Sequence, residues 1–437
     1  MHVCRRWRYV VFGSRRRLDL RLLCINQRLG VTLDVWPELP IVIYVNNQPP
    51  SVTNLISVLN QHDRVCKISF DCVPISTLKE VATTMSEPFP ALIELELSAC
   101  GDLPDSFLGG SAPRLRSLIL SEVSFPAIGK LLSSTRDLVR LSLNYIPPPG
   151  YISPKAMVLI LSTLTRLESL HLNFEKSKFR THGASQRPPA PTRIVLPALT
   201  SFNFCGNSRY LGDFVSRIDA PLDRFTVIFS NGMVVSDILL LRDFIDRTKI
   251  FNAPHRAKTS YSNNHCSISL FQRKGDVDFQ VLCLRLEIPC SSFELGSHSQ
   301  LSLLAQACGS LLPPLPSLEH LRVNEYKCDS FLRPWVYKDT TQWRAVLRPF
   351  IAVKDFVLDQ QLVSYVAPTL QELVGEQGAD ILPALQNLFL VGYESSPGRV
   401  PEGILEFITA RQFSGRPVKL HRVSKSFYIR REAGDGL

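Results

Sequence analysis

The side chains with chemical reach in this 437-residue chain stand at alternate positions of short apolar runs. They are Glu94, Glu96, Arg140, Asn144, His171, Asn173, Asn203, Arg224, Arg285, His320, Arg322, Asp355 and Asp359. A set this mixed in charge suits recognition through many weak polar contacts. Catalysis would need an acid, base or nucleophile gathered within hydrogen-bond reach. Taken singly, each of the thirteen is an ordinary solvated surface residue. The chain has no G-x-x-x-x-G-K-[ST], no G-x-G-x-x-G after a strand, no G-x-S-x-G and no H-E-x-x-H. Phosphate-cradling loops, the nucleophile elbow and the zinc-protease helix are therefore not expected. The eleven cysteines are scattered without a C-x-x-C, and His265 and Cys266 form an isolated pair, so no metal set with zinc spacing is legible. The expectation is no catalytic residue, no cofactor and no metal.

The elements that must position these residues announce themselves as L-x-x-L-x-L. The motif reads LIELEL from Leu92, LRSLIL from Leu115, LVRLSL from Leu138 and LESLHL from Leu167. Weaker members start at Val65, Leu199, Leu222, Phe279, Leu318, Val353 and Leu385. Strand side chains alternate between faces, so Leu95 and Leu97 point into a core while Glu94 and Glu96 point onto an open face. Between strands the spacing turns helical, as at Phe125, Ile128, Leu131 and Leu132, or Met157, Ile160, Leu161 and Leu164. One strand and one helix per repeat predict an α/β fold: a leucine-rich-repeat-like solenoid, a curved parallel sheet with helices on the outer face. The steps are irregular, from 23 residues (Leu92 to Leu115) to 57 (Leu222 to Phe279). Insertions are expected at 175–191 and 251–276, with a degenerate repeat near 239–244. Prolines at 90, 113, 197, 221, 316 and 383 precede the motif, ending the previous helix and fixing an extended entry. FLRPWVYKDTTQW, with Trp335 and Trp343, is expected to close a long repeat as a buried aromatic cluster. A final helix over 401–412 is expected to turn Ile404, Leu405 and Ile408 inward.

Charge narrows the partners. The net +10 is concentrated at the ends: residues 1–28 carry +7 and residues 411–431 another +7, so the body is slightly acidic. A phosphate-binding surface needs distributed Lys and Arg, which excludes nucleic acid along the whole array. No apolar run approaches the ~18–20 residues of a membrane span and no secretory segment opens the chain. An intracellular protein is expected, cytoplasmic and/or nuclear, with reduced thiols.

The opening, VCRRWRYVVFGS, places Val3, Trp7, Val10 and Val11 at helical spacing, with Gly13 placed to stop the helix. These residues resemble the last helix of an F-box, with its V-C-[RK]-x-W-[RK]-x-[VIL] pattern. LDLRLLC and LDVWPELPIVIYV are similar to the connector of fungal F-box proteins with leucine-rich-repeat-like C-terminal regions. LPALQNLFLVGYESSPGRVPEGILEFITARQFSGRPVKL is similar to the end of such proteins. The resemblance implies a recognition subunit without catalytic residues, in which the F-box holds a Skp-type adaptor of a cullin-RING ubiquitin ligase and the repeats select a protein substrate. Val3, Trp7 and Val11 would then touch the adaptor. The domain order expected is 1–13, the remnant of an incomplete F-box; 14–50, a connector; 51–423, the solenoid and capping helix; and 424–437, a tail. The chain starts inside the motif's last helix, so adaptor binding is expected only if a complete F-box lies upstream. The alternative is a truncated relative, a free-standing protein-binding scaffold without ligase coupling. An enzyme would instead show a tight titratable cluster in a deep pocket.

Overall fold

The computed structural model describes residues 6, 10, 21–25, 38–46, 51–174, 192–230, 235–248, 254–261, 265–273, 280–289, 298–312, 315–325, 340–372, 381–392 and 400–424. The chain is α/β, with mostly parallel strands and helices between them. It divides into two compact units, Met1–Asn203 and Phe204–Leu437.

In the first unit the strands are β1 (Leu22–Ile25), β2 (Ile41–Val45), β3 (Val65–Asp71), β4 (Glu94–Asp102), β5 (Ser117–Ser124), β6 (Arg140–Ile146) and β7 (Ser169–Phe174). They pair in chain order and all in parallel. Helices α1 (Val52–Leu59), α2 (Ile75–Thr84), α3 (Ile128–Ser134) and α4 (Pro154–Leu161) connect them. A two-residue strand β8 (Ile194–Val195) follows, and the division between units falls within β9 (Ser201–Gly206). The period-two pattern explains the burial. Leu95, Leu97, Leu118, Leu120, Leu141, Leu143, Leu170 and Leu172 are all buried, each worth about 1.5–3 kcal/mol against exposure. In α3, Ile128, Leu131 and Leu132 face inward as their spacing predicts. In α4, Met157 and Leu161 do, with Val158 more buried than Ile160.

The first leucine of each motif lies before the strand and closes a turn. The N–H of Leu92 donates to the Phe89 carbonyl, Leu115 to Ala112, Leu138 to Thr135, Leu167 to Leu164 and Leu199 to Leu196. Pro90, Pro113 and Pro197 occupy the second residue of their turns, where a fixed φ is favoured. Their role is thus turn formation rather than only stopping a helix. The strands end as regularly as they begin. Cys72, Glu122 and Tyr145 have φ of 52°, 61° and 49°, each at the sixth position counted from the paired row Lys67, Ser117 and Arg140. A left-handed residue there bends the chain out of the sheet, at a local cost of about 1–2 kcal/mol for a side chain other than glycine.

The second unit holds α5 (Ser208–Val215), β10 (Ile218–Asp219), β11 (Arg224–Phe229), α6 (Val235–Arg247), β12 (Arg256–Tyr261), β13 (His265–Arg273), β14 (Gln280–Pro289), α7 (His298–Leu311), β15 (His320–Glu325), α8 (Thr340–Leu347), β16 (Asp355–Asp359), α9 (Gln360–Glu372), β17 (Asn387–Val391), α10 (Glu402–Phe413) and β18 (Lys419–Val423). Its strand order is β11-β14-β13-β12-β15-β16-β17-β18. Consecutive helices α5 to α10 touch in series. Leu318 and Leu385 close the same turn as in the first unit, onto Leu315 and Leu382, with Pro316 and Pro383 at its second position.

All eleven motif strands are strands, but several expectations change. The segment expected to be an insertion at 251–276 contributes β12 and β13, and β13 runs antiparallel to both neighbours. Residues 239–244, expected to belong to a degenerate repeat, lie inside α6. Strands β1 and β2 fall inside the expected connector; β1 pairs with β2 and β2 with β3. The last helix turns Ile404, Phe407 and Arg411 inward, while Leu405 is 48% exposed. It is followed by β18, paired in parallel with β17, so it does not end the array. Trp343 is fully buried in α8. Trp335, the 175–191 insertion and the tail from 425 lie outside the described residues.

Candidate functional site

The polar side of the strands is the candidate surface, and register sets what stands beside what. In the first unit one row runs Lys67, Glu94, Ser117, Arg140, Ser169, and the next Ser69, Glu96, Ile119, Ser142, His171. Lys67 Nζ lies 2.5 Å from a Glu94 carboxylate oxygen and 5.4 Å from the centre of the Tyr44 ring. Ser69 Oγ donates to Glu96 at 3.1 Å. Asn144 Nδ2 donates to Ser121 and Ser142 at 3.3 and 3.1 Å. Arg140 is exposed, and Asn203 is half-buried at the end of the unit. Asn173 departs from the expected open face: it is 7% exposed.

In the second unit the corresponding row is Arg256, His320, Asp355, Asn387, Lys419. Its three middle members are linked in a chain that reaches His421. His320 Nδ1 lies 2.9 Å from Asp355 Oδ2, Asn387 Nδ2 donates to Asp355 Oδ1 at 2.8 Å, and His421 Nε2 meets Asn387 Oδ1 at 3.3 Å. The His421 ring stacks on Phe389 at 4.6 Å. Arg285 pairs with Glu287 at 2.8 Å, and Arg322 Nη2 lies 3.5 Å from Asp359 Oδ1. Arg224 is exposed. Asp359 is 9% exposed, and beside it Val357 and Val391 are buried with Phe389 and Val423 against them. Around β16 and β17 this side of the sheet is therefore closed over rather than open.

Burial lowers the pKa of His320; Asp355 and Glu319 oppose that shift, while Arg256 and Arg273 reinforce it. His171 is lowered by burial alone, and His255 by burial and then by Arg273, Arg256 and His320. Each shift favours the neutral imidazole. Because their pKa values lie below the ordinary 6.5, protons bind more tightly to the unfolded chain. The stability they protect is present above about pH 6.5 and is lost as pH falls below it. The melting temperature should fall between pH 7 and pH 5, and fall less steeply in H171Q. An equally steep fall in H171Q removes His171 from this account.

An aspartate orienting a neutral imidazole is a general-base arrangement. The neighbouring register positions on this face are Arg256, Lys258, Arg322, Asp355 and Val357, and none of these described residues carries a hydroxyl or thiol. A cleft of about 680 Å³ in the first unit is lined by Arg21, Glu38, Asp63, Arg64, Cys66 and Arg114, among others. Its only thiol, Cys66, donates to the Ile41 carbonyl. Among the described residues no three His, Cys, Asp or Glu side chains form a metal-holding group, and no helix is long and apolar enough to cross a membrane. No family model and no curated protein matches the chain. Val3, Trp7 and Val11 lie outside the described residues.

Several surface residues escaped the motif. Lys67, Arg256, Lys258, Asn387 and His421 stand in the same rows as the thirteen named from sequence. RAKTSY carried a usable signal, since Ala257 and Thr259 are buried and alternate with Arg256 and Lys258. It lacks the leading leucine that marked eight of the eleven motif strands.

Proposed function

We propose that this chain is a non-enzymatic protein-recognition module, an irregular leucine-rich-repeat array that serves as the substrate receptor of an SCF-type ubiquitin ligase. The observation that carries the recognition half is the strand pattern itself. One side of each motif strand is buried and apolar, most often leucine, and the other presents side chains in register across neighbouring strands. Repeat arrays bind through such extended surfaces. The ligase half rests on the likeness of VCRRWRYV to an F-box helix.

Co-expression of the full gene product with a recombinant Skp-type adaptor tests the ligase half. The two should co-purify, and W7A should reduce the yield of complex. If the adaptor is not retained, ligase coupling is lost and a free-standing recognition scaffold remains.

A further inference from the structure

We propose that Cys72 and Cys100 form a reversible dithiol/disulfide pair on the first unit, which joins the ends of β3 and β4 when the chain meets hydrogen peroxide. The pair adds a modification site and does not depend on the recognition function above. Strand parity and two left-handed residues bring the groups together. In β3, Ile68 and Phe70 are buried, so a continued strand would turn Cys72 inward. Its left-handed φ of 52° instead leaves it exposed. In β4, Cys100 follows Glu94, Glu96 and Ser98 on the polar side and is exposed. Asp71 pairs with Ser98, so Cys72 and Cys100 lie one step apart in register. Such a diagonal spans about 5.8 Å between Cα atoms, from a strand spacing of ~4.8 Å and a rise of ~3.3 Å, within the range a disulfide bridges. On the other flank, β4 sets Ala99 and Cys100 against the single residue Glu122 of β5, whose left-handed φ of 61° also leaves it exposed. Cys100 Sγ donates to Glu122 Oε2 at 2.9 Å, and Cys72 Sγ to Asp71 Oδ1 at 3.4 Å. Of the other described cysteines, Cys205 is half-buried and the rest are buried, so an oxidant in solution meets this pair first among them.

The chemistry is a two-electron oxidation. One thiol gives up its proton and attacks peroxide: an S–O bond forms, the O–O bond breaks, and the departing hydroxide takes the proton to become water, leaving a sulfenic acid. The second thiol, deprotonated in turn, attacks that sulfur: the S–S bond forms, the S–O bond breaks, and a second water leaves. The carboxylates set the pace. The hydrogen bond to Asp71 raises the thiol pKa of Cys72, and that to Glu122 raises the pKa of Cys100; Glu122 also acts on Cys72, and Cys72 on Cys100. Few thiolates are then present to attack, and each is a poor leaving group when the bond is reduced. The pair therefore responds to sustained rather than brief oxidant, and it keeps its bond afterwards. That bond ties β3 to β4 beside Ser98, on the polar side of the sheet.

Peptide mapping of the full chain tests the proposal. The dilute protein is incubated with hydrogen peroxide, its remaining thiols are blocked with N-ethylmaleimide, and it is digested with trypsin. Cys72 and Cys100 fall in adjacent tryptic peptides, 68–79 and 80–114, each with one cysteine. The two peptides should appear joined by a disulfide that dithiothreitol opens. The joined species should be lost in C72S and in C100S, with circular-dichroism melts equal to wild type as the guard against misfolding. E122Q removes the carboxylate that opposes the Cys100 thiolate and should form the link faster at pH 7. Recovery of the two peptides apart, with both thiols alkylated or separately oxidised, would overturn the inference. So would a bond from either thiol chiefly to some other cysteine, or a link that persists in C72S or C100S. Adaptor co-purification reads the ligase function separately, so failure here leaves that function standing.

Discussion

Replacing Trp343 by alanine should lower the unfolding free energy by about 3–5 kcal/mol, the range for deleting a large buried aromatic side chain. Trp343 is the largest fully buried side chain among the described residues. It lies in α8, which touches α7 on one side and α9 on the other. Truncation leaves a void that two neighbouring helices would have to fill, and close-packed interiors relax only partly. In a stacked array each unit is stabilised by its neighbours, so the loss should also lower protection of α7 and α9. Urea denaturation of W343A gives the free-energy change, and amide hydrogen exchange shows where it spreads. W343F keeps part of the ring contact and should lose less. A midpoint for W343A within experimental error of wild type would mean that Trp343 does not pack as described.

Replacing Arg411 by methionine should cost roughly 2–4 kcal/mol, since an unsatisfied buried polar group costs about 1–3 kcal/mol. Arg411 is buried on the inner side of α10, and its Nη2 donates to the carbonyls of both Ile381 and Leu382 at 3.0 Å. Leu382 has a left-handed φ of 48° and closes the turn that admits β17. The guanidinium thus ties the last helix to a strained turn in the preceding repeat. It also stacks over Phe407, 5.3 Å from the ring centre. Methionine keeps a comparable apolar stem but removes this donor from both carbonyls, leaving Leu382 only the Leu385 N–H. R411A removes the stem as well and should fall further. Thermal denaturation of the two variants ranks the losses, and an R411M melt equal to wild type would show that the two carbonyls find water at no cost.

The array was legible where one residue type repeats at one offset. All eleven motif strands were placed because their inner positions are apolar, and eight of them also have a leucine before the strand to fill the turn. β12, β13 and β18 lack that leading leucine. In RAKTSY the inner positions are Ala257 and Thr259, so polarity hides the alternation. The inward face of α10 was misplaced for a related reason. Arg411 reads as a surface residue until two carbonyls are seen to occupy it, and with Arg411 inward Leu405 turns to solvent. The polar rows were legible by parity alone, since strand alternation tells the two faces apart. That Asn173 and Asp359 are buried was not legible, because alternation assigns a side chain to a face and says nothing of how covered that face is.

The antiparallel hairpin has a further consequence. Strands β11, β14, β12 and β15 all point the same way, and only β13 is reversed. Two extra strands, one up and one down, cancel in direction, so the next repeat meets the polarity it would have met without them. An odd number would have presented β15 with a reversed edge. The stack can therefore take in or shed β12 and β13 as a cassette. Since that cassette carries Arg256 and Lys258, the chemistry of the face can be exchanged while the leucine scaffold on either side is left as it is.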